Sequence, residues 1–134
     1  VPHLSYAVML HWGLDAVRAA VAALPDGGEV TMVLDAVGAF RRGRVGLIPA
    51  VPEDLVRRQQ TVVEAVQATG AEVHRHYRAG RWLPHCSVAP RTRLDQLPVA
   101  AASLYEVIPL TVRLDHAALI DSSTGARWPL PHLP

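Results

Sequence analysis

The sequence predicts an α+β fold of two duplicated lobes, and three observations carry that prediction. Stretches with the two-residue hydrophobic alternation of strands are interleaved with stretches of helical period. Strong breakers, among them Pro25-Asp26-Gly27-Gly28 and Arg41-Arg42-Gly43, punctuate the chain. Blocks of sequence also recur at a nearly constant separation. Pro2-His3-Leu4-Ser5 returns as Pro84-His85-Cys86-Ser87, and Leu14-Asp15 as Leu94-Asp95. Thr31, Leu34 and Asp35 are matched by Thr111, Leu114 and Asp115, and residues 43–49 by residues 125–131. The repeat divides a single domain, residues 1–134, into equivalent lobes at about 1–49 and 84–134, with a helix at 53–69 between them. The counterpart of that helix would precede residue 1, so a further N-terminal segment is expected.

Each element follows from local chemistry. Residues 3–10 alternate, with His3, Ser5, Ala7 and Met9 on one face, and predict the first strand. Leu14, Val17, Val21 and Leu24 recur at helical spacing until Pro25 and the glycines stop them. Residues 30–40 and 44–48, rich in β-branched side chains, predict a hairpin around the Arg41-Arg42-Gly43 turn. Pro52 suits a first helical turn, and Glu53 and Asp54 complement the helix dipole. Leu55, Val56, Gln59, Val62, Val63 and Val66 then draw the buried stripe of a helix ending at Gly70. Residues 71–77 predict a short strand, 78–81 a loop and 82–89 another strand. A helix at 94–107 confines Pro98 to its first turn, a long strand runs over 110–120, and a last short one over 127–130.

The composition narrows the function. Half of the 134 residues are hydrophobic, enough for one core, and 13 basic against 12 acidic groups leave a net charge of +1, which argues against a general polyanion binder. Every basic residue is arginine, so P-loop and Schiff-base chemistries, which need lysine, are excluded. A single cysteine, Cys86, forms no internal disulfide, and no apolar run reaches the 18 or so residues of a membrane span. A soluble, cytoplasmic monomer is expected.

Of seven histidines, only His3 and His85 carry a hydroxyl residue two positions on, and the two occupy equivalent places in the repeat. On a strand, residues i and i+2 leave the same face, so each His-x-Ser presents an imidazole beside a hydroxyl. Two such pairs supply an acid and a base for proton transfer and two donors for an anionic oxygen, with no metal needed. Phosphodiester cleavage requires that combination. Arg75, Arg78, Arg81, Tyr77 and Trp82 precede the second motif and offer either guanidinium and stacking contacts to a phosphate or base, or simply a solvated loop. A zinc set of His74, His76, His85 and Cys86 is the rival, but its spacing fits no common finger, and a strand sends His85 and Cys86 to opposite faces. No Gly-x-Ser-x-Gly elbow of a serine hydrolase is present.

Pro2-His3-Leu4-Ser5-Tyr6 and Trp82-Leu83-Pro84-His85-Cys86-Ser87-Val88-Ala89 resemble the paired His-x-Thr/Ser signatures of the 2H phosphoesterase superfamily, which includes 2′-5′ RNA ligase-like proteins and cyclic nucleotide phosphodiesterases. Serine replaces the commoner threonine at both positions and keeps the donor. The resemblance implies a bilobal fold of two antiparallel β-sheets facing a central groove, with helices packed outside. It implies metal-independent, cofactor-free hydrolysis of 2′,3′-cyclic phosphate RNA ends or related cyclic nucleotides, in some members with 2′-5′ joining of RNA. His3 and His85 would be the acid/base pair, Ser5 and Ser87 the phosphate-oxygen donors, and Arg81, Tyr77 and Trp82 further substrate contacts. A non-catalytic RNA-end or nucleotide-binding module on the same fold is the alternative.

Overall fold

A computed structural model describes residues 2–41 and 43–134; Arg42, expected in a hairpin turn, lies outside them. In chain order the elements are β1 (Met9–His11), α1 (Leu14–Ala22), β2 (Val30–Phe40), β3 (Arg44–Ala50), α2 (Glu53–Ala68), β4 (Glu72–Val73), β5 (Cys86–Ala89), α3 (Leu97–Tyr105), β6 (Leu110–Leu114), β7 (Ala118–Ile120) and β8 (Arg127–Pro129). Short 3₁₀ turns occupy Arg75–Tyr77 and Leu94–Gln96. The fold is α+β, and the pairings β1–β4, β2–β3, β3–β5 and β7–β8 are all antiparallel.

Two compact units share the chain in interleaved segments. One comprises residues 1–5, 31–52 and 83–112, and is organised around a four-stranded sheet in the order β5-β3-β2-β6. Met32 and Leu34 of β2 and Val45 and Leu47 of β3 are buried, as strand alternation demands. The β2–β3 register slips between Leu34 and Ala36, leaving Asp35 as an extra residue and both Asp35 and Ala36 exposed.

The other unit comprises residues 6–30, 53–82 and 113–134. Val17 and Val21 of α1 meet Val62, Val63 and Val66 of α2 in a core shared with Ala71, Val73 and Leu119. This is the valine ridge that the helical spacing predicts, with one exception. Val56, placed in the buried stripe by spacing, is 41% exposed. Gly70, at φ +83°, ends α2 in the left-handed conformation that glycine adopts without a Cβ penalty. Arg58 joins α2 to the loop after α1. Its Nε donates to Asp54 at 2.8 Å, its Nη1 to Gly28 O at 2.8 Å, and its Nη2 to Gly27 O.

Several expected strands are shorter than the alternation suggests, because a strand extends only as far as its partner does. The predicted strand at 3–10 pairs only over Met9–His11, since β4 has two residues between Gly70 and the 3₁₀ turn that starts at Arg75. His74 N donates to Val8 O at 2.8 Å, but the Tyr6 carbonyl is taken by a side chain, the Nε2 of Gln59, at 3.0 Å. The same Nε2 donates to Tyr77 O at 2.7 Å. The strand expected at 71–77 therefore ends at Val73, and Arg75–Tyr77 becomes a 3₁₀ turn capped by the His74 side chain. The strand at 82–89 begins only at Cys86, after Pro84, which has no N–H to give a ladder. The strand at 110–120 breaks at residues 115–117, because β6 belongs to the four-stranded sheet whereas β7 pairs with β8. The helix expected at 94–107 opens as a 3₁₀ turn and is α-helical from Leu97.

Gln59 is 1% exposed, and its Nε2 donates to both the Tyr6 and the Tyr77 carbonyl. Replacing it with leucine, similar in size but without donors, removes both hydrogen bonds. Gln59→Leu is expected to lower unfolding free energy by about 1–3 kcal/mol, measured by urea denaturation with an unchanged m-value. A loss below about 0.5 kcal/mol would show that the amide is dispensable.

Candidate active site

The two His-x-Ser motifs, 82 residues apart in sequence, enter the same compact unit, so His3, Ser5, His85 and Ser87 are all parts of it. Neither histidine lies on a ladder: residues 3–5 precede β1, and His85 is the residue before β5. His3 is exposed, Ser5 and His85 are half-buried, and Ser87 is exposed on β5.

The second motif is held from three sides. Pro84 is buried and anchors the entry to β5. His85 Nδ1 lies 2.8 Å from Leu83 O. A carbonyl oxygen only accepts, so Nδ1 carries the proton of that contact and Nε2 is left to accept or deliver one. The His85 ring also packs on Phe40, at the end of β2, with centroids 4.6 Å apart. Phe40 was not singled out in the sequence, because the hairpin that brings it to His85 is a tertiary event.

Ser87 is placed by an irregularity. β5 pairs with β3 through Val45↔Ala89, Gly46↔Ser87 and Leu47↔Cys86. One step on β3 between Val45 and Gly46 matches two on β5, so Val88 is an extra residue and the strand bulges. The bulge leaves Ser87 and Val88 both exposed, where strict alternation would expose only one. Close approach of the strands requires Gly46: a Cβ there would stand 2.6 Å from Cys86 O. A glycine inside a β-branched run was the sequence signal for this approach.

The remaining expected contacts belong to the other unit. Arg81 is exposed in a turn closed by its own N–H to Arg78 O at 3.0 Å. Tyr77 is half-buried at the end of the 3₁₀ turn, its carbonyl held by Gln59. Trp82 meets Tyr6 edge to face, with centroids 5.8 Å apart. Tyr6 follows Ser5 directly, and its hydroxyl is buried with no hydrogen-bond partner among the described residues. Burial pushes the phenol above its ordinary pKa, partly offset by the positive charge of Arg58. The rival zinc set is divided between the two units. His74 and His76 stack on each other at 5.1 Å, while His85 and Cys86 belong to the other unit. Among the described residues no three His, Cys, Asp or Glu side chains group as metal ligands.

A fold of this kind is found in a known class of enzymes. The crystal structure of a phosphoesterase superposes with a TM-score of 0.56 over 96% of this chain and 76% of that one, at 14% identity, a likeness of fold. The family model of the 2′-5′ RNA ligase superfamily matches residues 1–126, and the chain belongs to that superfamily. No curated protein sequence matches it significantly. Membership supports a phosphoesterase-type activity. Among the described residues, no helix is long and apolar enough to cross a membrane.

Since folding raises the Tyr6 pKa, the folded state holds that proton more tightly than the unfolded chain, and stability falls as pH rises past about 10. Tyr6→Phe removes an unpaired buried hydroxyl. It is expected to leave stability at pH 7 unchanged or raised by up to about 1 kcal/mol, and to shallow the alkaline decline, both read from urea midpoints. A loss above about 1 kcal/mol would mean that the hydroxyl is bonded.

Proposed function

We propose that this protein is a metal-independent phosphodiesterase acting on 2′,3′-cyclic phosphate RNA ends or related cyclic nucleotides, able also to join RNA ends through a 2′-5′ linkage. The observation that carries the reading is the pair of Pro-His-x-Ser motifs, all four polar side chains falling in one compact unit of a chain that belongs to the 2′-5′ RNA ligase superfamily.

In this reading one imidazole, neutral, takes the proton of the attacking water, or of a hydroxyl in the joining direction. The other, protonated, gives its proton to the departing ribose oxygen. For His85 the atom that exchanges the proton is Nε2, because Nδ1 is engaged by Leu83 O. Ser5 and Ser87 donate hydrogen bonds to the non-bridging phosphate oxygens as charge builds on them, an interaction that strengthens toward the transition state. Arg81, Tyr77 and Trp82 keep the substrate-contacting role expected of them. Cys86 lies between the two functional positions and takes no part.

The test is to incubate the protein with each 2′,3′-cyclic nucleotide and with a short RNA ending in a cyclic phosphate, in EDTA, and to separate the products. A 2′- or 3′-phosphate is expected. His3→Ala and His85→Ala are each expected to lower kcat by on the order of a hundredfold or more, and Ser5→Ala and Ser87→Ala by less. The pH profile should be bell-shaped, with one limb lost in each histidine variant. Unchanged turnover in both histidine variants would overturn the mechanism. Affinity for a cyclic nucleotide without any product would make the protein a binding module.

A further inference from the structure

Arginine is distributed unevenly within the unit that holds the two motifs. Its arginines are at 41, 42, 44, 91 and 93 in the sequence, the described ones lying in or beside the β2–β3 turn and in the loop after β5, and its carboxylates are Asp35, Asp95 and Glu106. The loops are joined to each other. Thr92 N donates to Gly43 O at 2.6 Å, and Gly43, at φ +69°, has no room for a Cβ because Thr92 O occupies that space. The β2–β3 turn and the loop after β5 thus make one surface.

The charge on this surface is not neutralised from within. Arg93 is held by Asp95 through two hydrogen bonds, of 3.1 and 2.8 Å. Arg41, Arg44 and Arg91 are exposed, and among the described residues none of them has a carboxylate within ion-pair distance. Cations gathered at one place repel each other, and an anion from outside relieves the repulsion. Guanidinium forks match phosphate oxygens in geometry as well as charge.

The surface also adjoins the second motif. Arg44 is paired with Phe40 across the hairpin, and the Phe40 ring lies 4.6 Å from that of His85. Beside Arg91 an open depression of about 540 Å³ lies over Ala89, Pro90, Val99 and Ala100, with Asp95, already engaged by Arg93, also in its lining. We propose that Arg41, Arg44 and Arg91 bind the backbone phosphates of a single-stranded RNA whose terminal phosphate reacts at His85, so that the protein selects a polynucleotide end over a mononucleotide. This rests on the phosphodiesterase reading and adds a separate binding site to it.

The experiment compares a 2′,3′-cyclic mononucleotide with a single-stranded RNA of about ten nucleotides ending in a 2′,3′-cyclic phosphate, using wild type, the Arg44→Gln/Arg91→Gln pair and an Arg18→Gln control on α1. For the RNA, the pair should raise KM by about tenfold with kcat unchanged, and the RNA-to-mononucleotide ratio of kcat/KM should fall by the same factor. With three phosphates engaged, log affinity should fall with log salt at a slope of about −2, reduced to about −0.7 in the pair. The control should match wild type. Equal losses on both substrates, or an unaltered salt slope, would overturn the proposal. Fluorescence anisotropy with the same RNA ending in a 3′-phosphate reads the site without turnover. Binding weakened by the pair in a protein with no activity would uphold this site and sink the catalytic reading. Mononucleotide turnover with no RNA binding would do the reverse. Binding to phosphatidylserine vesicles that the pair abolishes, with RNA binding untouched, would also overturn it.

Discussion

The carbonyl oxygens of Tyr6 and Tyr77 terminate two segments that have no ladder in common, and one buried amide, the Nε2 of Gln59, serves both. Much of the second unit is arranged around this contact. It sits on the core face of α2, one turn after Leu55 and one before Val62 and Val63, so the helix that closes the valine core also holds the Tyr6 carbonyl and the end of the 3₁₀ turn. A buried amide with both protons engaged costs little, whereas either carbonyl left alone would cost a full desolvation. The arrangement therefore specifies a geometry more strictly than an apolar contact of equal size.

The two motifs show how polar placement and strand irregularity work together. Alternation along a strand would send Ser87 and Val88 to opposite faces, but the extra residue at Val88 exposes both. The irregularity depends on Gly46, and the neighbouring histidine is steadied by Phe40 from a different strand. Ser87 and His85 thus owe their positions to β3 and β2, elements that contribute no candidate catalytic side chain.

The fold class and the motif pairs were legible because they depend on local period and on repetition. Val17, Val21, Val62, Val63 and Val66 lie where helical spacing puts them, and the β2–β3 hairpin forms around its turn. Strand lengths were not legible, since residues 3–8 alternate as a strand does but the ladder with β4 begins only at Met9. Gln59 was visible as part of the α2 stripe, while the carbonyls it serves, 53 and 18 residues away, were not. Nothing in the local sequence around Arg58 points to its partners either, and only the folded loop shows that it binds the Gly27 and Gly28 carbonyls. Periodicity reports which face a residue occupies and is silent on what meets it there.

The choice of an amide for the clasp has a consequence for how the protein responds to acidity. A carboxamide does not ionise anywhere in the range where imidazoles gain and lose protons, so the tie between α2 and the segments ending at Tyr6 and Tyr77 is independent of pH there. A histidine or glutamate in the same place would loosen or tighten with pH and make the scaffold itself a proton sensor. With glutamine there, this part of the framework is electrically inert across that whole range.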